Sequence, residues 1–322
     1  MLTGAPIVSL IVYAHDLGQS ADFYHGRLGL PVLEDRPEQI RLDAGLVELW
    51  LRPAAEHGVE LFGHRDDSSD VVFLTEDLEA TRAALAGRGV VFERRRSYEV
   101  GLVTDFYDPN GHRLMLYQPS PTALTWPSAP KIREVWRARG RGGAGVIGPP
   151  AGPAEGPPEV TGLAGNPLIY LFMFENDQMS ALGFYRDALG LTLLERVHCC
   201  NQDCDAEIEG IGKYDGDGVL LSTHHMHERT MVFDDEGTPY SPREFTPAHG
   251  QGIAPVFAVS DVNAVVADLS ARDVGFPRGV QRHGDGLFAR FEDPFGHPFF
   301  LIETGALSKS REELAAGLPQ NR

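Results

Sequence analysis

The chain says the same thing twice. FYHGRLGL at Phe23 to Leu30 returns as FYRDALGL at Phe184 to Leu191, and FYDPNGHRLMLY at Phe106 to Tyr117 returns as FEDPFGHPFFLI at Phe291 to Ile302. Two signatures kept in the same order in each copy mean that the fold arose by duplication, and that a site lies within or between the copies. Each copy opens with an apolar strand, Ile7 to Tyr13 and Leu168 to Phe174, followed by an Asp-bearing turn and an amphipathic helix. In that helix Phe23-Tyr24 and Phe184-Tyr185 precede Leu28 and Leu189 by about one turn, which puts them on one buried face. Gly29 and Gly190 stand where a helix end calls for positive φ. Asp-Pro-x-Gly-His then makes a turn before a β-rich strand.

The interior of each copy fits a further subdivision. In copy one Leu46 to Leu51 and Val71 to Leu74 read as strands, and Asp77 to Gly87 as a helix with an acidic start and a glycine stop. Val219 to Ser222, Pro255 to Val259 and Asp261 to Arg272 match them in copy two. Each copy therefore reads as two successive β-α-β-β-β units, four in the chain.

This arrangement, with its FY-x5-LGL, DL/DV helix start and DP-x-GH, resembles the vicinal oxygen chelate superfamily of glyoxalase I, methylmalonyl-CoA epimerase, bleomycin and fosfomycin resistance proteins and extradiol dioxygenases. The resemblance spans roughly residues 6 to 119 and 166 to 304. It implies an α+β fold of two tandem domains, each of two βαβββ modules forming a cupped mixed sheet. The expected boundaries are 1–120 and 166–305, with a Pro/Gly-rich linker at 121–165 and a tail at 306–322. The motifs are packing and turn residues, so they speak for the fold, while the superfamily carries many reactions on it.

Composition narrows the partners. With 46 acidic against 28 basic residues the formal net charge is −18, which disfavours nucleic acid and anionic membrane surfaces. No stretch is long and apolar enough to span a bilayer, the start MLTGAPIVSL has no charged leader, and the three cysteines sit in one loop. A cytoplasmic protein, monomer or homodimer, is expected. One basic run, Lys131, Arg133, Arg137, Arg139 and Arg141, lies in the linker and reads as a solvated helix resting on acidic domains, or as an anion contact. The stretch 140–158 has the composition of disorder.

The resemblance also implies a cation held at fixed strand positions. The first position is Ser9 in copy one and Tyr170 in copy two. The second is Glu48, matched by Leu221, or by Leu220 if the register slips by one. The third is Asp70, matched by Ala254, and the fourth is Met115, matched by Phe300. A divalent cation needs three or more suitable side chains, and these places supply two carboxylates at most, so no cofactor is expected there. Extradiol dioxygenases bind their metal on His, His and Glu of the second domain, where this chain has Tyr170, Ala254 and Phe300. A displaced iron, nickel or zinc site is the alternative, on His198, Cys204 and His225 from the runs HCCNQDC and THHMHE; the parity of His225 with Leu221 and Thr223 points it to the concave face.

Strand parity otherwise lines the concave faces with aromatic and apolar groups. Candidate ligand-binding residues are Ser9, Tyr13, Trp50, Asp70, Met115, Tyr117, Phe172 and Phe300. Glu48 is the candidate general base, its pKa raised among apolar neighbours, with Tyr170 as proton donor. Copy two also carries a Pro/Gly- and charge-rich insertion at 227–251, which reads as a lid or binding loop. The leading expectation is a small-molecule-binding protein of the glyoxalase/bleomycin-resistance type that takes a hydrophobic or aromatic oxygenated metabolite. The alternative is a lyase, isomerase, epimerase or ring-cleaving dioxygenase working through the displaced metal or Glu48.

Overall fold

Four aspartates start four helices, and they mark out four modules. A computed structural model of the protein describes residues 1–61, 66–93, 95–138, 162–163, 166–197, 211–217, 219–225, 230–233, 239–243, 252–283 and 286–304. Asp16, Asp77, Asp177 and Asp261 each sit in extended conformation and accept a hydrogen bond from the backbone N–H of Gln19, Ala80, Ser180 and Ala264. A carboxylate there satisfies one of the donors that every helix start leaves unpaired.

The first module runs β1 (Ile7–Ala14), α1 (Leu17–Ala21) continuing as a π-turn (Asp22–Arg27), β2 (Val32–Arg36), β3 (Gln39–Asp43) and β4 (Glu48–Pro53), with α2 (Ala54–His57) after it. The second is β5 (Asp66–Leu74), α3 (Leu78–Ala86), β6 (Arg96–Tyr98), β7 (Gly101–Tyr107) and β8 (His112–Pro119). A short 3-10 turn (Ala123–Thr125) and α4 (Ala129–Ala138) follow. The third is β9 (Leu168–Glu175), α5 (Gln178–Leu182) with its own π-turn (Gly183–Ala188), β10 (Thr192–Val197), β11 (Ile211–Asp215) and β12 (Leu220–His225). A hairpin of β13 (Thr230–Phe233) and β14 (Pro239–Arg243) leads to the fourth, β15 (Ile253–Val259), α6 (Val262–Ser270), β16 (Val280–His283), β17 (Gly286–Glu292) and β18 (Pro298–Glu303).

The modules form two eight-stranded mixed sheets, and each sheet takes one module from each copy. The first sheet has the order β16-β17-β18-β15-β1-β4-β3-β2, joining modules one and four; the second has β10-β11-β12-β9-β5-β8-β7-β6, joining modules two and three. The sequence leaves open how the modules combine, and the pairing is by exchange between copies. In the first sheet Ser9 stands opposite Glu48 and Val256, and Val256 opposite Phe300. In the second Tyr170 stands opposite Leu220 and Val72, and Val72 opposite Met115.

The repeated motifs turn out to be one contact made twice. Asp108 accepts from the backbone N–H of Asn110 and His112, each at 2.8 Å, and from Tyr24 Oη at 3.2 Å. Asp293 accepts from the N–H of Phe295 and His297 and, at 2.5 Å, from Tyr185 Oη. The tyrosine of FY thus donates to the aspartate of DP, tying together two modules of one copy whose strands belong to different sheets. Gly29 and Gly190, at φ 77° and 75°, end the π-turns as expected.

The convex faces and helices share one core, which draws Leu10 and Leu49 from the first sheet and Val71, Leu116 and Leu171 from the second. No helix among the described residues is long and apolar enough to cross a membrane.

Candidate functional site

The concave face of the first sheet is open. Parity along β1 and β4 turns Ile11, Tyr13, Trp50 and Arg52 into the cup, and they meet Val256, Phe288, Arg290, Phe300 and Ile302 from the other copy. Together with His57, Val59, Arg278 and Gln281 they surround about 850 Å³ of empty space continuous with solvent. Tyr13, Trp50 and Phe300 are themselves at most 8% exposed, so the floor is deep and apolar. A cleft with this lining suits a small planar molecule.

Glu48, on the same face of β4 as Trp50 but outside the cavity lining, is a structural anion. Arg41 Nε and Nη2 donate to its two carboxylate oxygens at 2.9 Å each, and Trp50 Nε1 donates to Oε2 at 2.8 Å. The Arg41 side chain is 5% exposed and its next anion, Glu34, is 3.4 Å away. The carboxylate therefore fixes the Trp50 indole and neutralises Arg41. Burial raises the pKa of the Tyr13 hydroxyl, while Arg52, Arg290 and Arg278 pull against it.

The concave face of the second sheet is filled by the chain itself. Leu124, Ile132 and Trp136, from the 3-10 turn and α4, pack against Val72, Met115, Tyr117 and Tyr170. Ser128, just before α4, donates its N–H and its hydroxyl to the two oxygens of Glu195, each at 2.9 Å. Lys213 Nζ reaches Glu195 at 2.5 Å and lies over the rings of Trp126 and Tyr170. The segment expected as a solvated linker thus supplies an amphipathic helix whose apolar side closes a cup. Its polar side carries Lys131 within 3.2 Å of Asp217 and 3.5 Å of Asp215; the side chains of Arg137, Arg139 and Arg141 lie outside the described residues.

The exchange of modules separates residues that the sequence groups together. Ser9, Tyr13, Glu48, Trp50 and Phe300 share the first cup, whereas Asp70, Met115, Tyr117, Tyr170 and Phe172 belong to the second. Glu48 and Tyr170 therefore cannot serve one reacting molecule as base and acid, because β4 lies beside β1 and β9 beside β5 in the other sheet. The parity argument for His225 is also reversed. Leu221 packs in the core between the sheets and Leu220 in the cup, so the concave face of β12 carries Leu220, Ser222 and His224. His224 stacks on Phe172 at 4.0 Å, and burial and Lys213 lower its pKa to about 3. The side chain of His225, the residues His198 to Cys204 and most of the 227–251 insertion lie outside the described residues.

The matched positions do not fit a cation. Glu48 and Asp70 are in different sheets, Glu48 is saturated by Arg41 and Trp50, and Asp70 lies 3.6 Å from Arg113 Nε inside a network in which Arg96 and Arg113 both bind Asp105. Beside Glu48 the row offers one hydroxyl, Ser9, and the hydrocarbon of Val256 and Phe300. Among the described residues no group of three His, Cys, Asp or Glu side chains could hold a metal ion.

Arg52, Arg278, Phe288 and Arg290 were missed by the sequence reading. For Arg52 a signal existed, since it continues the 48, 50, 52 alternation of β4. For the others the register of β16 and β17 was needed, and no motif marks it.

A family model described as Glyoxalase/Bleomycin resistance protein/Dioxygenase superfamily matches residues 7–116 and 168–301. Glyoxalase I from Zea mays superposes with a TM-score of 0.59 at 15% identity, covering 98% of this chain and 97% of that one. A putative dioxygenase from Bacillus subtilis gives 0.55 at 12% identity, over 99% and 97%. At such identities the likeness speaks for the fold alone. No curated protein matches the chain.

Proposed function

The chain belongs to the Glyoxalase/Bleomycin resistance protein/Dioxygenase superfamily, and from that premise we propose that it binds a hydrophobic or aromatic oxygenated small molecule in the cup of the first sheet. The observation that carries this reading is the asymmetry of the two cups. The first, walled by Tyr13, Trp50, Phe288 and Phe300, stands open; the second is stoppered by Leu124, Ile132 and Trp136. Among the described residues, filling one cup with a segment of the chain leaves the other cup open for a ligand.

The proposal gives Glu48 the task of holding Trp50 and Arg41 in place, and needs no proton transfer. It also needs no cation, in keeping with a donor set of one hydroxyl, one saturated carboxylate and hydrocarbon. Titration calorimetry with naphthamide, an uncharged aromatic probe, tests it. One site per chain is expected, abolished by Val256→Trp, which places an indole on the cup floor, with the melting temperature retained. Naphthamide binding that survives Val256→Trp refutes the reading, as does a parent protein that binds neither naphthamide nor its charged analogues naphthoate and naphthyl phosphate.

A further inference from the structure

The two cups differ in charge as well as in occupancy. On the second sheet Arg96, Arg113 and Lys213 face Asp70, Asp105 and Glu195, three cations against three anions in direct contact. Around the first cup Arg41 is matched by Glu48, and Arg290 by Glu292 at 2.8 Å. Arg52 and Arg278 have no ion-pair partner among the described residues. The cavity lining contains these arginines and no Asp or Glu, in a chain where acidic residues outnumber basic ones by 46 to 28.

Arg52 is the telling group. It is half-buried at the end of β4, with its guanidinium 5.3 Å from the Trp50 ring. Its Nε donates to Gln39 Oε1 at 2.7 Å, which fixes the plane of the fork and leaves both Nη groups without a partner among the described residues. Burial lowers its pKa, as expected of a cation that has lost water without gaining an anion. Desolvating a cation is costly unless a counter-charge completes the site, and a fork with two adjacent N–H groups matches the two oxygens of a carboxylate. Arg278, exposed at the rim, adds attraction from further out.

We infer that the ligand of the first cup is an aromatic carboxylic acid, its ring on Trp50 and Phe300 and its carboxylate on the free edge of Arg52. The inference rests on the binding reading above, and it narrows the ligand class to monoanions with the charge next to the ring. One unmatched inner guanidinium calls for one negative charge.

Three probes of one ring system, naphthoate, naphthamide and naphthyl phosphate, separate the claims in a single calorimetric series. Naphthoate is expected to bind at least about tenfold more tightly than naphthamide, the scale of one charge-assisted hydrogen bond, with an advantage that shrinks as salt rises. Arg52→Met is expected to erase that advantage, the ratio of the two affinities falling to about one. Arg278→Gln changes an exposed side chain, so the fold is safe, and it is expected to reduce the advantage in part. Equal affinity for naphthoate and naphthamide, or an advantage that survives Arg52→Met, overturns the inference and leaves the cup as a neutral binding site. Tighter binding of naphthyl phosphate than of naphthoate overturns the carboxylate assignment. Failure of all three probes refutes the binding reading itself.

Discussion

Replacing Glu48 by Gln distinguishes an anion that holds the site together from one that does chemistry. Arg41 loses its bidentate carboxylate partner at 2.9 Å while remaining 5% exposed. Removing one member of a buried pair typically costs about 3–5 kcal/mol, because the remaining charge is stranded. Glu34 still lies 3.4 Å from Arg41 Nη1 and is partly solvated, so the lower end, about 3 kcal/mol, is expected for Glu48→Gln. Urea unfolding with linear extrapolation reads this directly, with an unchanged slope showing that the unfolded state is not what changed. The double variant Arg41→Met, Glu48→Leu removes both charges and is expected to lose less than either single change, a coupling of at least about 2 kcal/mol. A carboxylate kept for proton transfer commonly destabilises the protein that carries it, so its removal would leave stability unchanged or raise it. Glu48→Gln within about 0.5 kcal/mol of the parent would refute the structural role.

Other consequences follow from the same geometry. Ile132→Ala, in a segment that reads as linker, is expected to cost about 2–4 kcal/mol in urea unfolding, since Ile132 is 1% exposed against Tyr117 and Tyr170; a cost near zero would show that the second cup is not closed by α4. Burial, opposed by a hydrogen bond from the Asp177 backbone N–H and by His297 and reinforced by the charges of Asp177 and Asp293, raises the Glu175 pKa to about 8 from 4.5. The folded state therefore holds the proton more tightly than the unfolded one, so this contribution is complete below about pH 4.5 and is lost as pH rises through 8. Glu175→Gln is expected to flatten that decline in a series of melts from acid to mildly alkaline pH, and a parallel decline would contradict the assignment. Gly101→Ala is expected to destabilise by more than about 2 kcal/mol, because φ is +142° and a Cβ would lie 2.2 Å from the Gln118 carbonyl oxygen; a melting temperature unchanged by the substitution would count against this register of β7 and β8.

The fold was legible because duplication wrote it twice in local chemistry. The Asp that caps each helix, the Gly that takes positive φ and the Asp-Pro-x-Gly-His turn act within a few residues of themselves, and a sequence records such effects well. The parity of β1, β4 and β9 was legible for the same reason, and Tyr13, Trp50 and Phe300 do face a concave surface. The partnership of modules was not legible. Whether β1 lies beside β5 or β15 depends on which edges meet, and β1 pairs with β15 through a backbone ladder that no sequence motif marks. That single ambiguity placed Glu48 and Tyr170 in one imagined site and concealed Arg52 from Phe300. The one-residue slip in β12 had a smaller cause, since Leu220 and Leu221 are equally apolar and no polar residue between them sets the register. Nor could composition reveal that α4 fills a cup, because Leu124, Ile132 and Trp136 are thinly spread among the prolines and basic residues of a stretch that reads as linker.

A crystal structure of the protein with naphthoate would decide where its ligand sits. The expected density places the ring between Trp50 and Phe300 with the carboxylate on Arg52, while Ile132 and Trp136 stay seated on the second sheet. Naphthoate found against Tyr117 and Tyr170 with α4 displaced, and the first cup vacant, would contradict the account.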